Sequence, residues 1–158
     1  MPMTKQELLS INQSLSATPE SIRQIIENCV AESLTRRPPS GEFAAVEVIC
    51  HLRDLEREGY SLRIQKLLAD EQPSLPDIDG GRLAIERDYL RQNSATALRD
   101  FATAREDTIR AISELRAEQW ERSGTQEGVG PVTVTRVVEM MLEHDEGHLE
   151  ELRRLCSC

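Results

Sequence analysis

Three histidines are the only imidazoles in this chain, and two of them, His144 and His148, stand four residues apart in the run Glu143-His144-Asp145-Glu146-Gly147-His148-Leu149. An α-helix turns once per ~3.6 residues, so that spacing stacks the two rings on one face with Cβ atoms roughly 5 to 6 Å apart. At that separation two imidazoles can grip one metal ion. The third, His51, lies in a second helical stretch able to pack against that face. Three neutral nitrogen donors with at least one position left open describe a catalytic metal site better than a closed structural one. The expected cofactor is a divalent transition metal, Zn or Ni first, with Fe, Co and Mn also compatible with such donors. The pattern is not His-Glu-x-x-His, because Asp145 follows the first histidine. The metalloprotease arrangement with a helix-borne glutamate base therefore lacks its central residue.

Carboxylates flank all of these positions. Glu47 lies four residues before His51 and Asp54 three after it, on the same helix face, and Asp145 adjoins His144. A carboxylate one turn from a ligand histidine can accept the far ring N–H, fixing the tautomer and raising the basicity of the metal-facing nitrogen. Glu47, Asp54 and Asp145 are expected in that orienting role rather than as attacking groups; for Glu47 an exposed polar stripe is the competing reading.

Helices must position these residues. Thr4 followed by Glu7 has the capping-box pattern for a short helix over 4–15. Thr18-Pro19-Glu20 then reads as the start of a long first helix, with Ile22, Ile25, Ile26 and Val30 on one stripe and an end near Leu34, ahead of Pro38-Pro39. Ser40 is the expected cap of the second helix, whose apolar positions Ala45, Val48, Ile49, Leu52, Leu55, Leu62 and Leu67 follow the 3.6 period with some spread. Residues 72–81 read as a long crossover loop. A third helical stretch begins near Leu83 and, from Ser94, runs through Ala97, Phe101, Ala104, Thr108, Ile112 and Leu115. Ser123 to Pro131 reads as a glycine-punctuated loop whose spacing matches no phosphate site, and Trp120 before it reads as a packing anchor. Thr133 caps the fourth helix, where Val134, Val137, Val138, Met141, Leu142, Leu149, Leu152 and Leu155 run on either side of the histidines. Gly147 inside that helix costs roughly 1 kcal/mol relative to Ala, which fits either a close approach to its backbone or a glycine that the helix tolerates.

At 158 residues the chain is expected to form one domain and to bury roughly two-thirds of its unfolded surface, so neither metal nor disulfides are needed merely to fold. Aromatics are only 3%, which favours an aliphatic core of the helix-bundle kind. A net charge of −9 with no long basic run gives no footprint for a nucleic-acid backbone. No apolar run approaches the ~20 residues that span a bilayer, and the N-terminus lacks the order of a signal peptide, so a cytoplasmic protein is expected, with no membrane partner. In that compartment Cys29, Cys50, Cys156 and Cys158 are not expected to build a disulfide framework, and Cys156-Ser-Cys158 is expected to fray at the terminus.

The runs Gly41-Glu-Phe-Ala-Ala-Val-Glu-Val-Ile-Cys-His51-Leu-Arg-Asp54-Leu-Glu56, Trp120-Glu-Arg122 and Val132 through His144-Asp-Glu-Gly-His148-Leu resemble the DinB/YfiT-like four-helix metalloproteins over about residues 18 to 153. The resemblance implies an up-down-down-up four-helix bundle with a long crossover near residues 70 to 82. It implies His51, His144 and His148 as metal ligands, and it makes a homodimer the expected assembly. It also implies action on a small-molecule substrate. Some members of the family are thiol S-transferases or thiol-dependent isomerases, which would make a low-molecular-weight thiol a cosubstrate. A metal-activated water acting as a hydrolase, and a metal-binding bundle without catalysis, are the alternatives. Two positions depart from the family pattern: Phe43-Ala44 stands where many relatives carry Trp-Ser, and Gln126 where relatives often carry a loop histidine.

Overall fold

Thr4 opens the first helix as its capping box predicts: its hydroxyl accepts from the Glu7 N–H while the Glu7 carboxylate accepts from the Thr4 N–H. In the computed structural model, which describes residues 3–157, this helix, α1 (Lys5–Glu27), does not break before Thr18 but runs through Pro19. Pro19 has no N–H to give the carbonyl of Leu15, and Arg105 Nη1 donates to that freed carbonyl instead, at 3.0 Å. Thr18 is accordingly no cap. Its buried hydroxyl donates to Asp145 Oδ2 at 2.6 Å. The helix ends at Glu27, short of Leu34, and a 3₁₀ turn over Ala31–Thr35 follows.

The second rod also departs from expectation at its start and its middle. It begins with α2 (Ala45–Asp54), where the Glu47 carboxylate accepts from the Ala44 N–H at 3.0 Å, while Ser40 bonds to Glu42 and caps nothing. A π-helical segment, Leu55–Tyr60, then joins α2 to α3 (Ser61–Ala69). A π turn holds more residues than an α turn, so the apolar stripe slips by about one position beyond it. Tyr60, Ile64 and Leu67 face inward, and Leu62, which the unbroken period assigned to the core, is 45% exposed.

Asp79 caps the short α4 (Gly80–Glu86), Asn93 caps α5 (Ser94–Ser113) and Thr133 caps α6 (Val134–Cys156). The two stretches expected as loops contain a small sheet. β2 (Ser123–Gln126) and β3 (Gly130–Thr133) form a hairpin, and β1 (Ser74–Leu75) adds to β2 in parallel. Strands of two to four residues are too short to display alternation in a sequence. Glycine is required at 124, where a Cβ would lie 2.5 Å from the Pro73 carbonyl oxygen.

α1 and α2 each pack against α5 and α6. Apolar side chains gather in two clusters: Leu15, Ile64, Leu67, Ile112, Trp120 and Met141 belong to one, and Ile22, Ile49, Phe101, Tyr89 and Leu152 to the other. Trp120 is thus the packing anchor its position suggested. Between the clusters along every long helix lies a buried polar layer of Thr18, Glu56, Arg105 and Asp145. Contrary to expectation, Cys29 and Cys156 are joined by a disulfide, because the ends of α1 and α6 bring their Cα atoms to 4.8 Å. α6 stays helical through Cys156 rather than fraying there; Cys158 lies outside the described residues.

Candidate metal centre

The three histidines come together at the polar layer. α2 carries His51 and α6 carries His144 and His148 one turn apart, and their rings form a triangle with centroids 4.4 to 5.2 Å apart. The Nε2 atoms point at one another: His51 to His144 is 3.1 Å and His148 to His144 is 3.1 Å. Metal–imidazole bonds of ~2.0 to 2.1 Å place neighbouring nitrogens on one ion roughly 3.0 to 3.4 Å apart, so the spacing fits a shared ion. It suits a hydrogen-bonded cluster poorly. A neutral ring presents either a proton or one lone pair at Nε2, and His144 Nε2 cannot satisfy two neighbours with either.

The tautomer of His148 follows from its far side. Its Nδ1 lies 2.7 Å from Glu151 Oε2; a carboxylate only accepts, so Nδ1 carries the proton and the neutral ring has a bare Nε2. Burial first, and then the repulsion that a proton on His148 or His51 would exert, depresses the pKa of His144 to about 2. Burial, then His148, lowers that of His51 to about 4. Both rings are therefore neutral donors at physiological pH, the form in which imidazole binds metal.

The carboxylates expected to orient these rings are elsewhere engaged. Glu47 pairs with Arg37 through both oxygens, at 2.8 and 2.9 Å. Asp54 accepts from Arg53, Arg87 and Tyr89. Asp145, facing away from His144's ring, accepts from both terminal nitrogens of Arg105 and from Thr18. Each was on the correct helix near the correct histidine, but a charged guanidinium competes for a carboxylate more strongly than a neutral ring N–H. Glu151, the carboxylate that does touch a ring, was missed. Its signal was available, since it lies three residues after His148 on the same face.

Gly80 was also missed, and no local pattern marks it. Its backbone lies so close to His51 that a Cβ there would sit 2.7 Å from Cε1 and 2.8 Å from Nδ1. His51 Nδ1 is buried against it without a hydrogen-bond partner. Phe43 and Tyr60 complete the surround, with ring centroids 5.7 Å from His51 and 5.5 Å from His144 respectively. Gly147, by contrast, has nothing within 4 Å of a built Cβ, so no close approach explains it.

Residues 14–152 match the DinB superfamily. The chain belongs to that superfamily. Among solved structures it is similar to YfiT from Bacillus subtilis, described as a probable metal-dependent hydrolase with an unusual four-helix bundle topology. The TM-score is 0.88 at 18% sequence identity, over 96% of this chain and 87% of that one. At that identity the likeness establishes a shared fold. No functionally curated protein matches the chain. Among the described residues, no helix of this DinB-superfamily protein is long and apolar enough to cross a membrane.

Proposed function

We propose that His51, His144 and His148 hold one divalent transition metal and that the centre hydrolyses a small-molecule substrate by activating water. The observation that carries this reading is the convergence of the three Nε2 atoms, with that of His144 3.1 Å from those of both His51 and His148, and ring nitrogens of all three within 4.8 Å of one another. A metal on three neutral imidazoles keeps its full positive charge and supplies an acidified water, with a pKa near ~7 in zinc sites of this donor type. The chain's own residues do the rest. Glu151 holds the His148 ring in its donating tautomer, Gly80 leaves room for the His51 ring, and Phe43 and Tyr60 wall the site with apolar surface. Burial raises the Tyr60 phenol to about 12, so Tyr60 stays protonated.

The description of YfiT as a probable metal-dependent hydrolase supports water as the nucleophile. Thiol transfer, which the family resemblance also implies, would use the same neutral donor set to acidify a sulfur. A screen of small esters, amides and halides in the presence and absence of thiols separates the two. Turnover independent of thiol supports hydrolysis, and a rate proportional to thiol concentration overturns it.

The same proposal includes the up-down-down-up helix order, supported by side-chain pairings that advance together from α2 into the π segment and from the residues just before α5 into that helix. Cys50 meets Gln92, and six residues on Glu56 meets Arg105. A cytoplasmic homodimer completes it, to be read from the mass in solution.

A further inference from the structure

Three arginines are buried among the described residues: Arg105 at 2% exposure, Arg63 at 5% and Arg53 at 8%. Arg105 is clasped by Glu56 and Asp145, and Arg53 by Asp54. Arg63 has no such partner. Its Nε is buried without a hydrogen bond, and no carboxylate among the described residues pairs with its guanidinium. Holding an arginine side chain at 5% exposure without a carboxylate partner is costly, and its terminal N–H groups are left without any hydrogen-bond partner among the described residues, free to bind a ligand.

Its position suggests one. The π segment slips the helix phase so that Arg63, on the first turn of α3, turns inward beside Ile64. The guanidinium lies over the Tyr60 ring, 5.4 Å from its centroid, and that ring is 5.5 Å from His144. A Cβ on Gly59 would be 3.6 Å from Arg63 Nη1 and 3.2 Å from Ile78 Cδ1. Ile78 is two residues from the Gly80 backbone that abuts His51. Arg63 is therefore separated from His144 by one aromatic ring, that of Tyr60.

We propose that Arg63 is the anion-holding residue of this site and binds a carboxylate of the substrate, placing the adjoining reactive group at the three histidines. The assignment rests on the metal-centre reading for what happens at the other end of the substrate. A single planar guanidinium presents paired N–H donors that match a carboxylate, and one unit of charge that balances it.

The test follows melting temperature and metal content of the metal-loaded wild type, Arg63→Met, Arg63→Lys and the His144→Ala, His148→Ala double variant. Each is titrated with sodium acetate against sodium chloride at matched ionic strength. Acetate should raise the wild-type Tm, leave Arg63→Met unmoved and shift Arg63→Lys in part, with metal content equal in these three proteins. In chloride, Arg63→Met should melt at or above wild type, because an uncompensated buried charge has gone. An acetate shift that is absent from wild type or persists in Arg63→Met overturns the proposal, as does a large loss of Tm for Arg63→Met in chloride. A larger shift with inorganic phosphate than with acetate overturns the carboxylate assignment. Absence of metal from the wild type overturns the metal-centre reading alone, since the Arg63-dependent acetate shift is read independently of it.

Discussion

In the proposed metal centre Glu151 sets the tautomer of His148 through its 2.7 Å contact with Nδ1, and that makes Glu151 the most informative single residue. Replacing it by Gln removes the charge that fixes the tautomer, and metal affinity should fall by roughly 10- to 100-fold with little change in melting of the metal-free protein. A competition titration with a chromophoric chelator reads this directly, and unchanged affinity would remove Glu151 from the site. The depressed pKa values of His51 and His144 make a second expectation. In the unfolded chain both take up protons near pH 6.5, whereas the native rings resist protonation until about 4 and 2. The unfolded state binds more protons throughout that window, so stability of the metal-free protein rises with pH. It should be level above pH 6.5 and decline as pH drops toward 4, and His144→Ala should flatten the decline in thermal melts. At this scale the sequence was half legible. Helical spacing finds His144 and His148 because i and i+4 share a face, but which carboxylate reaches a ring depends on Arg37, Arg53, Arg87 and Arg105, three of which come from other parts of the chain than the carboxylate they hold.

At the scale of elements, caps and periods were readable where the signal is local. Thr4 with Glu7 and Thr133 were found because a cap bonds within three residues. The continuity of α1 through Pro19 was not, because it depends on Arg105, ninety residues away in sequence, accepting the role of the missing N–H donor. Nor was the π segment, which shows in the sequence only as the spread in the stripe from Leu55 to Leu67. The two glycines near the histidines give a matched pair of tests. Gly80→Ala should push a Cβ into the His51 ring and lower metal affinity at least tenfold, whereas Gly147→Ala meets only open space and should stabilise the exposed helix by up to ~1 kcal/mol without touching metal binding. Equal metal affinity in the two variants would mean that the approach of Gly80 to His51 does not position the ring.

For the whole molecule, the polar layer joins the helices and the centre. Arg105 on α5 reaches Leu15 on α1, Glu56 on the π segment and Asp145 on α6, next to His144. Arg105→Met leaves two carboxylates buried without their cation, a loss of ~3 to 5 kcal/mol. That corresponds to a fall in Tm on the order of 10 °C for a chain of this length; a shift within a degree or two would show that the layer is solvated rather than dry. The four-helix character was legible from composition and periodicity, while the small sheet and the Cys29–Cys156 link are products of tertiary proximity alone. The central claim is that the three histidines form one metal site. It is tested most directly by elemental analysis of protein purified without a histidine tag, for wild type beside the His144→Ala, His148→Ala double variant. About one equivalent of a single transition metal, present in the wild type and lost in the variant, is the predicted result; no metal in the wild type even after reconstitution with Zn or Ni, or equal metal in both proteins, would contradict it.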